Sequence, residues 1–356
     1  MHWTLRWRHT RKENNMRDRR GNEGTTSRRG FLEKLLLATG FVASGAIAGS
    51  AYAVIDKPAF KGHASAQEVE PGPEITGLVK AARPALLPAA TGGPSHDISL
   101  EISYKTLEIA AGVSYDAWTF GGQVPGPFIR VRQGDRVNFT LVNNGSGGHS
   151  IDFHAAQTPA ERDYKTILPG ESLTFSWAAN FPGVFMYHCG TAPMLHHIAN
   201  GMYGAVIVDP AEPLPPATEF AFVQSEFYAR RGAADAWEAD MTKMLLARPD
   251  LMAFNGTAFQ YRDQPLAVKA GERIRMYVVN AGPTLSSAFH VVGGIFDKVY
   301  VDGNPANLLR GVSTYPIAPG QGCTFEIVFP EAGKYPFVSH NFAYTELGAV
   351  GILAAS

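Results

Sequence analysis

The chain has 356 residues, 45% of them hydrophobic, and a formal net charge of −1. That length can bury more than one core and predicts two domains. The near-neutral charge excludes the basic surface that a nucleic-acid binder needs.

The first residues stand apart from the rest. A basic stretch leads into Ser27-Arg28-Arg29-Gly30-Phe31-Leu32, then an apolar run from Leu35 to Ala48, then Ala51-Tyr52-Ala53. Twin arginine, modest apolar segment and small-x-small signal, in that order, predict a twin-arginine export peptide over 1–53. Cleavage is expected after Ala53, or as late as Ala66 in Ala64-Ser65-Ala66. The rival reading is a retained anchor, but Gly40, Ser44 and Gly45 interrupt an apolar run already short for a membrane span. The mature protein is therefore expected to be periplasmic or extracytoplasmic, with no stable membrane span.

Residues 54–95 are rich in Pro, Ala and Gly and read as a linker or surface arm. From residue 96 onward, short alternating segments broken by Gly and Pro predict a β-sandwich or barrel. Two of these segments recur. Val131-Arg132-Gln133-Gly134-Asp135-Arg136-Val137, running on to Asn143, matches Val268-Lys269-Ala270-Gly271-Glu272-Arg273-Ile274, running on to Asn280. Pro169-Gly170 and Thr174-Phe175 likewise match Pro319-Gly320 and Thr324-Phe325. The chain therefore reads as two copies of one all-β sandwich, 96–212 and 213–356. In that alignment Cys189 falls opposite Ser339, and His149 near Ser286. The second copy lacks the first copy's ligands but holds His290 and His340 on the corresponding strands, so two kinds of metal site are expected.

The chemistry centres on Tyr187-His188-Cys189. His197 follows the cysteine by eight residues, Met202 lies five further on, and His149 precedes the group. A thiolate, two imidazoles and a thioether form the ligand set of an electron-transfer copper, with the thioether as weak axial ligand. His197 is preferred to its neighbour His196 because the Gly201-Met202 turn then returns the sulfur to the same side. Met194 is the rival axial ligand. The bland alternative makes His149 and Met202 core residues and Cys189 a buried thiol. Cys323, in a strand-like Gly322-Cys323-Thr324-Phe325, reads as a small buried hydrophobe and not as a disulfide partner of Cys189.

Side chains alternate along a strand, so His188 must face away from the metal that Cys189 binds. With His154 and a third imidazole from His340 it can hold a second metal with an open position, the arrangement of a catalytic site. Zinc suits three histidines equally well, but a one-electron donor one residue away favours copper. Asp152 and His290 flank the open position and suit proton delivery, while Val292 would wall it with apolar surface. The plainer readings are a turn hydrogen bond for Asp152 and a satisfied core position for His290.

His149 to His154, the His188-Cys189 pair, His197-Ile198-Ala199-Asn200-Gly201-Met202, Ser287-Ala288-Phe289-His290 and the run from His340 to Ala349 together resemble the copper-containing nitrite reductases. The likeness covers most of the chain from Leu100 to the end. It implies two cupredoxin-like Greek-key β-sandwich domains per protomer, a homotrimer, and two coppers per protomer. In that resemblance His149, Cys189, His197 and Met202 hold the type 1 copper. His154, His188 and the neighbouring protomer's His340 hold the type 2 copper, and Asp152 and His290 match the active-site acid and base. Thr314 matches a threonine behind them, and Val292 stands where isoleucine is common. The implied activity is one-electron reduction of nitrite to nitric oxide, fed by a cupredoxin or a c-type cytochrome. A two-domain multicopper oxidase would need His-x-His pairs, absent from the eleven histidines. A blue-copper electron carrier would leave His154, His188, His290 and His340 without a task.

Overall fold

Residues 69–90, 92–232 and 235–356 are described by the structure, a computed structural model. The export signal expected over 1–53 and both cleavage positions lie outside the described residues. Among the described residues no helix is long and apolar enough to cross a membrane.

Period-two burial builds the sheets. In Val113–Phe120, Val113, Tyr115 and Ala117 are buried between exposed Ser114 and Asp116, so one face of the strand enters a core and the other meets water. The fold is all-β, and the described residues form four sheets. A six-stranded sheet carries, in order, Ala229–Arg231, Trp237–Ala239, Val113–Phe120, Ser95–Ala110, Arg136–Asn143 and Ser172–Ala178. Packed on it is a four-stranded sheet of Ile129–Arg132, Tyr203–Asp209, Gly183–His188 and Asp152–Phe153. The second sandwich pairs a six-stranded sheet (Leu251–Phe254, Thr218–Phe227, Arg273–Gly282, Gly322–Val328, Phe296–Val301, Leu308–Val312) with a five-stranded one (Leu266–Val268, Val350–Ala355, Gly333–Ser339, Ser287–Val291, Thr314–Ile317). The hairpin of Ala229–Arg231 and Trp237–Ala239 lies beyond residue 213 yet extends the first copy's sheet, because Trp237 pairs with Tyr115. Part of the arm is tied down in the same way: Ala85 is buried and its carbonyl accepts from Ala221 N–H at 2.7 Å.

The strand Gly183–His188 is covered on both faces. Tyr187 and Cys189 enter the core of the first sandwich with Phe139, Phe153 and Met202. Val184 and Met186 enter a different core, shared with Ala221, Val223, Tyr277 and Val279 of the second copy. Each such fully buried side chain contributes about 1.5–3 kcal/mol, so a one-residue slip of this strand would be opposed from both sides.

The two copies share one polar knot. Asn143 Nδ2 donates to the carbonyls of Gly147 and Ile167 at 2.8 and 2.9 Å. Asn280 Nδ2 donates to those of Leu285 and Ile317 at 2.8 and 3.0 Å. The bridge between His149 and Ile167 is repeated as the pairing of Ser287 with Ile317. His149 therefore corresponds to Ser287, one residue past the Ser286 that the sequence alignment suggested. The backbone N–H of Ser150 points at Cys189 Sγ (3.4 Å) as that of Ala288 points at Ser339 Oγ (3.2 Å), so Cys189 corresponds to Ser339. Asp152 and His290 are then the same position in the two copies.

Replacing either asparagine strands one buried carbonyl, that of Ile167 or Ile317, worth about 1–3 kcal/mol, and a second that is half-buried, that of Gly147 or Leu285. Asn280→Ala is expected to lose about 3 kcal/mol in denaturant unfolding, and Asn143→Ala a similar amount. Only the second variant should also disturb a metal bound at His149, a difference that visible absorption would read.

Candidate metal centres

His149, Cys189 and His197 converge within the first copy, all three buried. His149 Nδ1 lies 3.1 Å from His197 Nδ1, and Cys189 Sγ lies 3.9 and 3.2 Å from the two nitrogens. Separations of this size are what one ion demands when its bonds are about 2.0 Å to nitrogen and 2.3 Å to sulfur. Burial, reinforced by a neighbouring imidazole, holds both histidines down at about 4, so they are neutral ligands at ordinary pH. Met202 is fully buried in the same core as Cys189, and its carbonyl accepts from Cys189 N–H at 3.1 Å. Met194 is 52% exposed at the start of the short helix Met194–Ala199, which removes it from the interior where the sulfur and imidazoles meet. Gly201 makes the turn into Met202 possible: its φ is +114°, and a Cβ would meet Val124 at 2.5 Å. His196 sits beside the group and approaches Asn200 Nδ2 at 3.2 Å.

Asp152, His154 and His188 form a second convergence. Asp152 and His188 are direct partners across antiparallel strands, and His188 Nε2 stands 3.1 Å from His154 Nε2 and 3.8 Å from Asp152 Oδ2. The outer nitrogens are engaged by carbonyls: His188 Nδ1 with Cys189 O at 3.0 Å and His154 Nδ1 with Gly320 O at 3.1 Å. Both rings therefore carry the proton on Nδ1 and turn Nε2 lone pairs toward each other, the tautomer that a shared cation requires. Adjacent residues 188 and 189 thus belong to different donor groups.

Within the single chain His340 does not join Asp152, His154 and His188. It is exposed and lies beside His290, with ring centroids 5.3 Å apart. His290 Nδ1 donates to Ser313 O at 2.7 Å, with Thr314 Oγ1 at 3.3 Å. Phe342, 53% exposed, packs on His340 with ring centroids 4.6 Å apart, and Val292 and Ile295, close after His290 in the chain, are 43% and 63% exposed. Cys323 is buried in the second core, and burial pushes its thiol up to about 12; both cysteines are free.

Three contributors escaped the sequence reading. Tyr104 and Trp118 surround the first group, and the Gly320 carbonyl holds His154. The Pro169-Gly170/Pro319-Gly320 repeat marked the last of these as a turn, but nothing in the spacing linked it to residue 154.

Comparison with known proteins bears on both groups. Two family models, each described as multicopper oxidase, match residues 101–213 and 219–353. The copper-containing nitrite reductase of Neisseria meningitidis is 42% identical over 264 residues, covering 72% of this chain and 68% of the relative. That of Alcaligenes faecalis is 30% identical over 289 residues, covering 73% and 76%. Among solved structures, the copper nitrite reductase from Nitrosomonas europaea matches with a TM-score of 0.69 and 38% identity, over 74% of this chain and 94% of that one. The one from Thermus scotoductus matches with a TM-score of 0.68 and 35% identity, over 74% and 62%. Both sandwiches are cupredoxin-like, and the His149, Cys189 and His197 donors fit a type 1 copper.

Gly320 has φ +82°, and a Cβ there would approach His154 Cε1 to 3.1 Å. Gly320→Ala is expected to lower metal occupancy at the His154–His188 group about 10–100-fold in affinity, leaving the cysteine-centred group intact. Metal analysis alongside visible absorption would separate the two.

Proposed function

Because the chain belongs to the copper-containing nitrite reductases, we propose that it reduces nitrite to nitric oxide outside the cytoplasmic membrane, consuming one electron and two protons and releasing water. Copper is its metal and nitrite its substrate. The observation that carries the finer reading is the placement of Cys189 and His188 in two donor groups joined by one peptide unit.

Bound copper supplies one-electron exchange at the first group, and electrophilic binding of an oxyanion at the second. His149, Cys189, His197 and Met202 would hold the first ion; His154, His188 and a neighbouring protomer's His340 the second. The Cys189–His188 peptide links the two groups, and the His188 Nδ1···Cys189 O contact of 3.0 Å stiffens the link. Asp152, half-buried and 3.8 Å from His188 Nε2, is placed to hold a proton at its carboxyl for a nitrite oxygen. His290, fixed through Nδ1 by Ser313 O, keeps Nε2 for the second proton, so that the oxygen leaves as water. Val292 lines the approach with apolar surface.

This arrangement calls for a homotrimer. His340 is exposed and His290 half-buried beside it, on a face that also exposes Val292, Ile295 and Phe342, and a second protomer covering that face is the way these imidazoles would reach His154 and His188. We assign 96–212 and 213–356 to the two cupredoxin domains, 1–53 to twin-arginine export, and the electron donor to the cupredoxins or c-type cytochromes.

The test is nitric oxide release from nitrite by copper-loaded protein with a reduced artificial donor. Release with two coppers per chain supports the proposal. Oxygen consumption without nitrite turnover would instead assign a multicopper oxidase, and a blue protein active in neither assay would assign a carrier. Asp152→Asn should retain both coppers while turnover falls about 10²–10⁴-fold, and an unchanged rate removes Asp152 from proton delivery.

A further inference from the structure

Tyr104 belongs to Ser95–Ala110 and Trp118 to Val113–Phe120, and the two residues are direct partners across these antiparallel strands. Their rings stack at 5.4 Å and 14°. Trp118 meets both His149 and His197 edge-on, at centroid distances of 5.4 and 5.0 Å. Tyr104 Oη lies 2.8 Å from His149 Nε2 and accepts from Gly147 N–H at 3.2 Å.

These contacts fix protons. His149 turns Nδ1 toward Cys189 and His197, and a neutral ring that offers Nδ1 to a metal carries its proton on Nε2. That N–H donates to the phenol oxygen, whose second lone pair receives Gly147 N–H. The tyrosine thus acts as a double acceptor, with its own proton turned elsewhere. An acceptor on the far nitrogen raises the electron-donating power of a ligating imidazole, which favours the more positive oxidation state of whatever the ring binds.

We propose that Tyr104, held by its stack on Trp118, is a positioning residue that fixes the His149 tautomer and lowers the reduction potential of the first copper. The proposal rests on reading His149, Cys189 and His197 as that copper's ligands. A surface cleft of about 280 Å³, lined by Thr106, Asp116 and the outer sides of Tyr104 and Trp118, leaves the pair reachable from solvent, so this control sits at the edge of the molecule and not in its core.

Tyr104→Phe keeps the ring and its stack while removing the acceptor. Copper affinity at the first site is expected to fall about 10–100-fold. At saturating copper the midpoint potential should rise, with a shifted thiolate-to-copper band and altered hyperfine splitting, while the thermal midpoint stays near that of the wild type. A variant equal to the wild type in potential, spectrum and affinity overturns the proposal. Proton–nitrogen NMR of the reduced wild-type protein gives an answer that needs no variant: a slowly exchanging proton on His149 Nε2 supports the assignment, and a bare Nε2 refutes it. A wild type with no intense blue band would instead defeat the underlying copper reading, a failure distinguishable from the others.

Discussion

The alternation of side chains at residues 188 and 189 is the constraint on which the rest depends. A strand covered on one face would place one of these neighbours in water. Gly183–His188 is covered on both, by the first sandwich's core on the side of Tyr187 and Cys189 and by the inter-copy core on the side of Val184 and Met186. Two adjacent donors are thereby held in two separate environments, with no flexible segment between them. The peptide bond that separates them also joins them, and its rigidity keeps the distance between the two groups constant.

Duplication supplied the second half of the arrangement. Asn143 and Asn280 tie equivalent turns with equivalent bonds, so the frames coincide even where the chemistry differs. At the cysteine position the second copy has Ser339, and at the first histidine position Ser287, which removes a soft-ligand centre there. At the position of Asp152 it has His290. Carboxylate and imidazole occupy one structural address in the two copies, although Asp152 lies on an edge strand of its sheet and His290 on a strand paired on both sides, with Thr314 and Val338.

Control of tautomers runs through both groups. His149 is held at Nε2 by Tyr104, while His154, His188 and His290 are held at Nδ1 by the carbonyls of Gly320, Cys189 and Ser313. The direction of each lone pair is therefore decided by an oxygen on the far side of the ring, and apart from the neighbouring Cys189 carbonyl these oxygens come from strands or turns remote in sequence. A ligand set named without them would leave each imidazole free to present either nitrogen.

The sequence by itself determined the all-β class, the internal repeat and the pairing of Cys189 with His197, because period-two burial and short spacings are local properties that survive without coordinates, and its choice of His149, His154 and His188 agrees with the two groups that converge. It also implied that His188 and Cys189 diverge, since alternation needs only that they lie on a strand. Tertiary structure decided the remainder. It brought Tyr104 to His149 across 45 residues and Gly320 to His154 across 166. It joined the hairpin of Ala229–Arg231 and Trp237–Ala239 to the first copy's sheet, and it moved the correspondence of His149 from Ser286 to Ser287. These features depend on strand pairing and sheet packing between distant segments, for which no local pattern carries a signal.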